Sequence, residues 1–365
     1  MLNNKNIFLC IPTLSNAGAE RFVTELACNI NRVLFNPIVL ITRRLNKNSN
    51  FYEKLINNEI IVLDASSSNI VKTIFKINKY INLYKPCIIH TNIGAVLHLL
   101  IPIFLSNYKI IHLFTVHSMA YRIFKGVKKQ ILQILFKRRK IIPVAICETV
   151  KKSIMESYNL NIDKIECVYN GVDTNIFVPM KKKNNDEIIF INVGTLYEIK
   201  NHELLIEAFS IVHKKNKLTK LVIVGDGVLR QYLEEKINRF GLNDSVILYG
   251  QQNDVKHYLV NSHIYCCSSK VEGLPISVLE AMACGLPIIT TKAGGVVDIV
   301  KDNINGFITK SSADDIAEKM LMLTNNKKLY EEMCKKSRQI SLTYDIKKCA
   351  LGYEEIYAKY LKNNK

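Results

Sequence analysis

The sequence predicts an α/β protein with doubly wound parallel sheets, and two patterns support this fold class. Along the first half, strand-like apolar runs alternate with helical stretches, which is typical of a doubly wound sheet. In the second half, a strand at 264–267, a helix that begins at Pro275 and a strand at 287–291 form one βαβ unit. The 365 residues suffice for two domains of about 150–200 residues, each with its own core.

The individual strands follow from apolar runs that end at small or polar residues. In the first half they are expected at 6–12, 37–41, 60–63, 87–90, 110–116 and 142–146. In the second half they are expected at 188–193, 221–224, 246–249, 264–267 and 287–291. The polar run at 181–186 is the expected linker between the halves, and helical periodicity at 344–361 predicts a C-terminal helix.

The βαβ unit of the second half indicates a ligand site. Open α/β sheets bind ligands at the carboxyl ends of their strands, and the loop at 272–274 lies at such an end. Glu272 lies in this loop, and Glu280 lies about 8 Å along the axis of the following helix. Free N–H groups between them favour a phosphate, so a nucleotide sugar fits this arrangement. If the two glutamates are considered in isolation, a simpler interpretation is that Glu272 is an incidental loop residue and Glu280 a solvated helix residue, without a role in binding.

The first half offers polar residues at the same kind of sheet edge. The small-residue loop at 13–21 joins the first strand to a helix, so its backbone could approach a phosphate or a sugar closely. His117 ends one strand, and His90 and Asn92 end the strand before it. His90 and Asn92 could line an acceptor site. His117 lies at the ligand edge of the sheet, although a lone histidine there is more often a structural hydrogen-bonding group.

The composition is basic, and the basic charge is unevenly distributed. Residues 1–180 carry 23 Lys and Arg against 10 Asp and Glu, whereas residues 181–365 carry 27 against 22. The net charges of +13 and +5 predict an anionic partner for the first half: nucleic acid, anionic lipid or a phosphorylated substrate. No recognition-helix, zinc-finger or interleaved aromatic–basic pattern favours nucleic acid. The ten cysteines form no CxxC pair, so we expect reduced thiols in a cytoplasmic protein without a metal site.

The segment 121–140 has the pattern of a basic amphipathic helix, which can lie on an anionic membrane surface. An ordinary sheet-covering helix with a solvated basic face fits the same pattern. No apolar run reaches the ~20 residues of a membrane-spanning helix, and no signal peptide is apparent, so we expect no membrane crossing. The expected apolar face consists of Ile123, Val127, Ile131, Ile134 and Leu135.

The segment 272–300, EGLPISVLEAMACGLPIITTKAGGVVDIV, resembles the E-x7-E signature region of the retaining GT-B glycosyltransferases of family 4. This resemblance implies two Rossmann-like domains that face each other across a cleft. The expected parts are an acceptor-binding domain at 1–178, a nucleotide-sugar-binding domain at 179–343 and a helix at 344–365 that crosses back to the first domain.

Further segments resemble motifs of the same family, including G-A-E-R at 18–21 and N-G-V-D followed by F-x-P at 170–179. In the family's G-R-L…K-N pattern, the arginine and the lysine neutralise the donor diphosphate; here Lys200 is present, but Thr195 stands in the arginine's place. The resemblance gives catalytic roles to Glu272, His117 and Lys200. It places donor contacts at Glu280, Gly273, Leu274, Pro275, Ile276, Thr195, Gly18 and Gln251, and acceptor contacts at Asn16, His90 and Asn92.

The resemblance implies retaining, metal-independent transfer of a hexose-type sugar from a UDP- or GDP-sugar, without a further cofactor. The expected acceptor is a hydroxyl of a saccharide or lipid-linked saccharide in surface polysaccharide biosynthesis, such as that of capsule or lipopolysaccharide. Such an enzyme would be cytoplasmic or peripheral on the inner face of the plasma membrane. Two alternatives stay open: a sugar-nucleotide epimerase of GT-B fold, and a catalytically weak nucleotide-sugar-binding partner, which Thr195 and Ala17 would explain.

Overall fold

The structure is a computed structural model that describes residues 5–15, 17–180 and 187–362. The expected acceptor contact Asn16 and the expected linker at 181–186 lie outside the described residues. The chain forms two compact units, here called the first and the second domain. The first domain runs to Gly171 and takes up the chain again at Ile346, and the second domain is Val172–Asp345.

The first domain contains a parallel seven-stranded sheet in the order β3-β2-β1-β4-β5-β6-β7. Helices cover both faces of this sheet, so its strands are apolar almost throughout. The strands are β1 Lys5–Thr13, β2 Phe35–Arg44, β3 Ile61–Asp64, β4 Ile88–Asn92, β5 Ile111–Val116, β6 Ile142–Ala145 and β7 Glu166–Cys167. The helices are α1 Gly18–Asn29, α2 Asn50–Asn57, α3 Ile70–Tyr84, α4 Ala95–Phe104, α5 Gly126–Lys137 and α6 Glu148–Tyr158.

The second domain contains a parallel six-stranded sheet in the order β10-β9-β8-β11-β12-β13. The strands are β8 Ile188–Val193, β9 Thr219–Val224, β10 Val246–Leu248, β11 Ile264–Cys267, β12 Ile288–Thr291 and β13 Gly306–Thr309. The helices are α7 His202–Lys215, α8 Arg230–Arg239, α9 Val255–Val260, α10 Ile276–Ala283, α11 Val296–Ile299, α12 Ala313–Asn325 and α13 Lys327–Ser341. Both sheets therefore have the strand order of a Rossmann fold, which confirms the predicted class.

The strand order fixes where a ligand can bind in each domain. The chain reverses its direction of winding between β1 and β4 in the first sheet, and between β8 and β11 in the second. At such a switch point the two neighbouring loops diverge and leave a crevice at the carboxyl ends of the strands. The candidate site residues of each domain lie at these two edges.

The C-terminal helix α14, Ile346–Lys362, packs on the first domain's sheet through its tyrosines. Tyr357 and Tyr353 lie against His90 of β4, with the Tyr357 hydroxyl 2.7 Å from Nδ1 of the imidazole. Gly171 permits a close approach, because a Cβ atom there would lie 2.6 Å from Cα of Ile346. These contacts fasten the last helix to the domain that contains the first strand.

The central helix α10 begins one residue later than the sequence suggests, with Pro275 as its N-cap residue. It ends in a Schellman motif: Gly285 adopts a φ of +77°, and the N–H of Leu286 donates to the carbonyl of Ala281 at 3.0 Å. The glycine is required there because this left-handed conformation is costly for other residues. The chain then turns directly into β12, as the βαβ pattern predicts.

The basic segment 121–140 forms the turn Ala120–Arg122 followed by helix α5. Leu132 and Phe136 bury against the sheet, so α5 does cover the sheet as an ordinary helix would. The expected apolar face is not the buried one, because Val127, Ile131 and Ile134 are exposed to solvent. Within the described part of the chain, no helix combines the length and the apolar composition that crossing a bilayer requires.

Candidate active site

The second domain brings two of the expected catalytic residues into direct contact. Lys200 ends a short turn that follows β8, and Glu272 lies in the loop between β11 and α10. Because β8 and β11 are adjacent parallel strands, both loops emerge at the same edge. The Lys200 Nζ lies 2.7 Å from Oε1 of Glu272, and the Ser269 hydroxyl donates to the same oxygen at 2.6 Å.

The ion pair is only partly open to solvent, since the side chains of Lys200 and Glu272 are 22% and 11% exposed. Burial by itself lowers the pKa of Lys200, but the attraction and the hydrogen bond of Glu272 outweigh it and raise that pKa. The lysine is therefore a permanent cation at neutral pH. A diphosphate that binds here must share this cation with Glu272 or take it over.

The loop that follows β12 packs tightly on the Glu272 loop. Gly294 has a φ of +57°, and a Cβ atom at this position would lie 2.0 Å from the carbonyl oxygen of Glu272. Thr291 adds a hydrogen bond from its hydroxyl to the Ser269 carbonyl at 2.6 Å. These contacts hold the backbone around Glu272 in one conformation.

Helix α10 begins four residues after Glu272, and no side chain caps its start. The N–H groups of its first turn have no acceptor within the helix, so they can bind an anion at this sheet edge. Of the expected donor contacts in this segment, Gly273, Leu274 and Ile276 are buried and Pro275 is partly buried. Glu280 lies on α10 with only 2% of its surface exposed, so a ribose contact would involve the edge of this carboxylate.

The loop after β8 also contains Thr195, which is partly buried. Two further cations near this sheet edge are engaged in ion pairs. Lys270 lies 2.8 Å from Glu198, and Arg230 forms ion pairs with acidic residues of its own helix and of the preceding loop. Gln251 lies exposed in the loop after β10, where the sequence predicts a contact with the base.

At the edge of the first domain, Asn92 and His117 form a hydrogen-bonded pair. The Asn92 Nδ2 donates to the backbone carbonyl of Cys10 at 3.2 Å, and its Oδ1 lies 2.8 Å from Nε2 of His117. Because this oxygen can only accept, Nε2 carries the proton and Nδ1 of His117 is an acceptor. The ring of Phe22 packs edge-on against the imidazole, and burial lowers the pKa of His117 to about 3. His117 is thus neutral at physiological pH.

His90, an expected acceptor contact, is completely buried in the first domain. Its Nδ1 is hydrogen-bonded to the Tyr357 hydroxyl, and its Nε2 lies 2.6 Å from the Thr115 hydroxyl. Both ring nitrogens are therefore engaged inside the domain, and burial lowers the pKa of His90 to about 3. An acceptor contact through His90 stays a prediction, and it would require this network to open.

The start of α1 is the second feature at this edge. Gly18 is its first residue, and a Cβ atom there would meet no described atom within 4 Å, so the space above it is open. Glu20 lies buried beneath the preceding loop, where the hydroxyls of Thr13 and Ser15 donate to its Oε1 at 2.7 and 2.9 Å. The loop is thereby held against the helix start.

The described residues contain no group of three or more His, Cys, Asp or Glu side chains that could hold a metal ion. The candidate residues instead form two polar groups, one in each domain: Lys200, Glu272 and Ser269 in the second, and Asn92 and His117 in the first.

Comparisons with known proteins agree with this architecture. The family model for glycosyl transferases group 1 matches residues 174–340, and the model for glycosyltransferase family 4 matches residues 16–176. An uncharacterized glycosyltransferase of Methanocaldococcus jannaschii is 31% identical over 277 residues, which are 67% of this chain and 68% of that protein. The chain belongs to the group 1 and family 4 glycosyltransferases.

Other proteins are similar to this chain over shorter stretches or in fold alone. A UDP-Gal:alpha-D-GlcNAc-diphosphoundecaprenol alpha-1,3-galactosyltransferase of Escherichia coli is 27% identical over 59% of this chain and 60% of that protein. This chain spans about half the length of five of the curated relatives that it matches, between 45% and 60% of each. The crystal structure of Anabaena HepE in complex with UDP and glucose has a TM-score of 0.85 at 17% identity, covering 98% of this chain and all of that one. This likeness confirms the GT-B fold.

Two polar groups of this glycosyltransferase were not anticipated from its sequence. Ser269 orients Glu272, and nothing in the local pattern distinguishes it from the neighbouring serine. Asn192 of β8 donates to the carbonyl of Cys266 at 2.7 Å and lies 2.8 Å from Nε2 of His202. An asparagine inside the apolar run of β8 is the signal that could have indicated this pair.

Proposed function

We propose that this glycosyltransferase moves a hexose-type sugar, with retention of configuration, from a nucleotide sugar to a hydroxyl group. The observation that supports this most directly is the Lys200–Glu272 ion pair beside the uncapped start of α10. It combines a cation and backbone N–H groups for a leaving diphosphate with a carboxylate for the sugar.

In this proposal, the donor diphosphate binds to the N–H groups at the start of α10 and to Lys200. As the phosphate takes over the lysine, the Glu272 carboxylate becomes available to the hydroxyls of the sugar, while Ser269 keeps it oriented. Glu272 positions and stabilises the sugar without attacking it. The acceptor hydroxyl attacks from the side of the leaving group, and its proton passes to the departing phosphate. Lys200 and the helix start stabilise this phosphate, so the proposed step needs no metal ion.

In the first domain, we assign a contact with the sugar to His117. Because Nε2 of His117 is held by Asn92, Nδ1 can accept a hydrogen bond from a sugar hydroxyl. In the second domain, Glu280 would bind the ribose, Gln251 would lie near the base and Thr195 near the diphosphate. Gly18 would leave room for the donor phosphate at the start of α1.

A UDP-sugar donor and a lipid-linked acceptor are the substrates that we favour. The similar Anabaena protein is in complex with UDP, and the Escherichia coli relative is named for a diphosphoundecaprenol acceptor. Both facts concern other proteins, and they support the same substrate classes here. Such acceptors belong to surface polysaccharide biosynthesis at the cytoplasmic face of a membrane.

The test is nucleotide release by the purified chain across a panel of UDP- and GDP-sugars, with and without a lipid-linked acceptor extract and with a chelator in a parallel series. We expect acceptor-dependent release from one donor, insensitivity to the chelator, and a product whose anomeric configuration matches that of the donor. The Glu272→Gln variant should lose about 10²–10³-fold in kcat. Glu198→Gln is the matched control, because Glu198 is an exposed ion-pair partner in the facing loop, and it should keep full activity.

Two results would replace this proposal. Acceptor-independent release of nucleotide with an isomerised sugar would identify an epimerase. Binding of a donor without turnover would identify a nucleotide-sugar-binding partner, and Thr195 in the place of the usual arginine is the observation that favours this second candidate.

A further inference from the structure

We infer that one helical layer of the first domain is a docking face for an anionic lipid bilayer. This face, called here the basic layer, consists of the exposed side chains of α3, α4 and α5. It is wider than the segment 121–140, which supplies only α5 and its flanks. The inference rests on surface properties and not on the transfer reaction.

The three helices lie on the same side of the sheet. Ile77 of α3 and Leu99 of α4 pack in one cluster with Ile89 of β4. In the parallel register, Ile89 pairs with His112 and therefore shares a face with Phe114, two residues further along β5. Phe114 stacks on Phe136 of α5, with ring centroids 6.4 Å apart. The helices α1 and α14 contact each other and meet His90 on the opposite face.

Each helix of the basic layer exposes a large apolar side chain. Phe75 of α3 is 70% exposed, Phe104 at the end of α4 is 87% exposed, and Val127 of α5 is 69% exposed. Further exposed apolar residues of the layer and its flanks are Ile70, Val71, Leu83, Ile101, Leu105, Ile131 and Ile134. Exposed apolar side chains on three helices of one layer are typical of an interaction surface.

The charged side chains of the segment 65–147, which contains all three helices of the basic layer, have one sign only. Residues 65–147 contain 13 Lys and Arg and not one Asp or Glu, so they account for the whole net charge of residues 1–180. Lys72, Lys128 and Lys137 are exposed among the apolar side chains of the layer. By contrast, the opposite helices α1 and α14 contain both acidic and basic residues.

The basic layer combines cations with exposed apolar side chains, and this combination indicates the class of partner. A nucleic acid would attract the lysines but would leave the aliphatic and phenyl side chains in water. An anionic bilayer interacts favourably with both, because its headgroups attract Lys and Arg while the apolar side chains enter the boundary of the acyl chains. The partner that fits this face is therefore a membrane surface rich in anionic lipid.

The experiment is co-sedimentation of the full chain with vesicles of phosphatidylcholine alone or mixed in equal parts with phosphatidylglycerol. We expect binding to the mixed vesicles, weakened by added salt. Replacing Lys128 and Lys137 by Gln should lower the partition coefficient about fivefold per lysine, whereas the pair Lys217→Gln and Lys335→Gln in the second domain should have no effect. Phe104→Ser should lower it about tenfold, and its matched control is Val228→Ser, which removes a 76% exposed side chain from the second domain.

All these positions are exposed, so the variants should fold like the parent, which thermal unfolding checks. Glu272→Gln should bind vesicles normally, and a failure of the transfer assay therefore leaves this test intact. Equal binding to neutral and mixed vesicles would overturn the inference, and so would an equal loss in the control variants. A chain that forms a dimer dispersed by Phe104→Ser, without affinity for vesicles, would identify the layer as a contact between copies instead.

Discussion

Each domain contains the same asparagine–histidine arrangement, but the two domains expose it differently. In both, the amide Nδ2 donates to a backbone carbonyl of an adjacent strand, and Oδ1 lies 2.8 Å from Nε2 of a histidine. The pair is Asn92 with His117 in the first domain and Asn192 with His202 in the second. His117 is partly exposed at a sheet edge, whereas His202 at the start of α7 is buried.

The arrangement fixes the same tautomer in His117 and His202, but the Nδ1 atoms of the two rings have different surroundings. The asparagine oxygen forces the proton onto Nε2, so Nδ1 becomes an acceptor in both histidines. In His117 this acceptor lies where a sugar hydroxyl could reach it. In His202 it is buried without a partner among the described residues. Burial, together with Lys200 nearby, lowers the pKa of His202 to about 3. Exposure, and not the hydrogen-bond pattern, separates the candidate functional pair from the structural one.

The comparison predicts that only one of the two histidine-to-alanine variants loses activity. His117→Ala should lower kcat/KM about 100-fold, because a sugar contact is lost. Both variants should be destabilised by about 1–3 kcal/mol, because the buried oxygen of Asn92 or of Asn192 loses its donor. The kcat of His202→Ala should stay within about threefold of the parent's. Steady-state kinetics and urea unfolding of both variants check this.

The control for these variants changes Phe22, which packs on His117 of the first pair. Phe22→Leu removes the ring that packs on His117 but keeps the asparagine bond, so a small kinetic effect is expected. A 100-fold loss of activity in His202→Ala at full stability would reverse the assignment and would move the functional histidine to the second domain.

Acidification should lower the free energy of unfolding more in the first domain than in the second. His90, His112 and His117 of the first domain have pKa values of about 3, and His202 of the second domain has the same value. Between the ordinary value near 6.5 and 3, the unfolded chain binds protons that the folded chain does not, so stability falls as the pH falls through this window. At pH 5 the loss is about 2 kcal/mol per histidine, hence about 6 kcal/mol for these three of the first domain and about 2 kcal/mol for His202.

Hydrogen exchange measured by mass spectrometry at pH 7 and pH 5 tests this difference. After correction for the intrinsic exchange rate, peptides from β4 and β5 should lose about 10³-fold more protection than peptides from β8 and α7. Parallel losses in the two domains would show that the buried histidines do not set their acid stability.

The sequence predicted the fold well because the fold is encoded by repeated local patterns. Apolar runs followed by small or polar residues identified the strands, and Pro275 with Gly285 bounded α10 to within one residue. The buried face of α5 could not be predicted in this way. Its sequence presents two apolar stripes, and only contact with Phe114 decides that Phe136 points inward while Val127 stays exposed.

The candidate site was predictable as a set of residues but not as a set of contacts. Glu272 and Lys200 were expected from the family motifs, yet their ion pair joins positions 72 residues apart and depends on the adjacency of β8 and β11. The contacts of His90 could not be predicted from the sequence either. The sequence places it at the end of a strand, which suggests a ligand contact, whereas it lies in the middle of β4. The tyrosines that enclose it come from the far end of the chain.

The smallest predicted effect concerns the asparagine of the first pair. In Asn92→Asp, a carboxylate would face Nε2 of His117 and would raise the pKa of the imidazole from about 3 by about 1–3 units. Once protonated, His117 carries a proton on Nδ1 and can no longer accept from a sugar hydroxyl. The ratio of variant to parent kcat/KM should therefore fall by up to about tenfold between pH 8 and pH 5.

Asn192→Asp is the matched control for this profile, because it places the same charge beside the buried His202, which meets no sugar in the proposed site. Its kcat/KM should follow the parent's pH dependence, although its stability should change. A pH-independent loss in Asn92→Asp would mean that Asn92 supports only the backbone at Cys10. A pH-dependent loss in both variants would mean that the two histidines contribute alike, and exposure would then not be the property that distinguishes them.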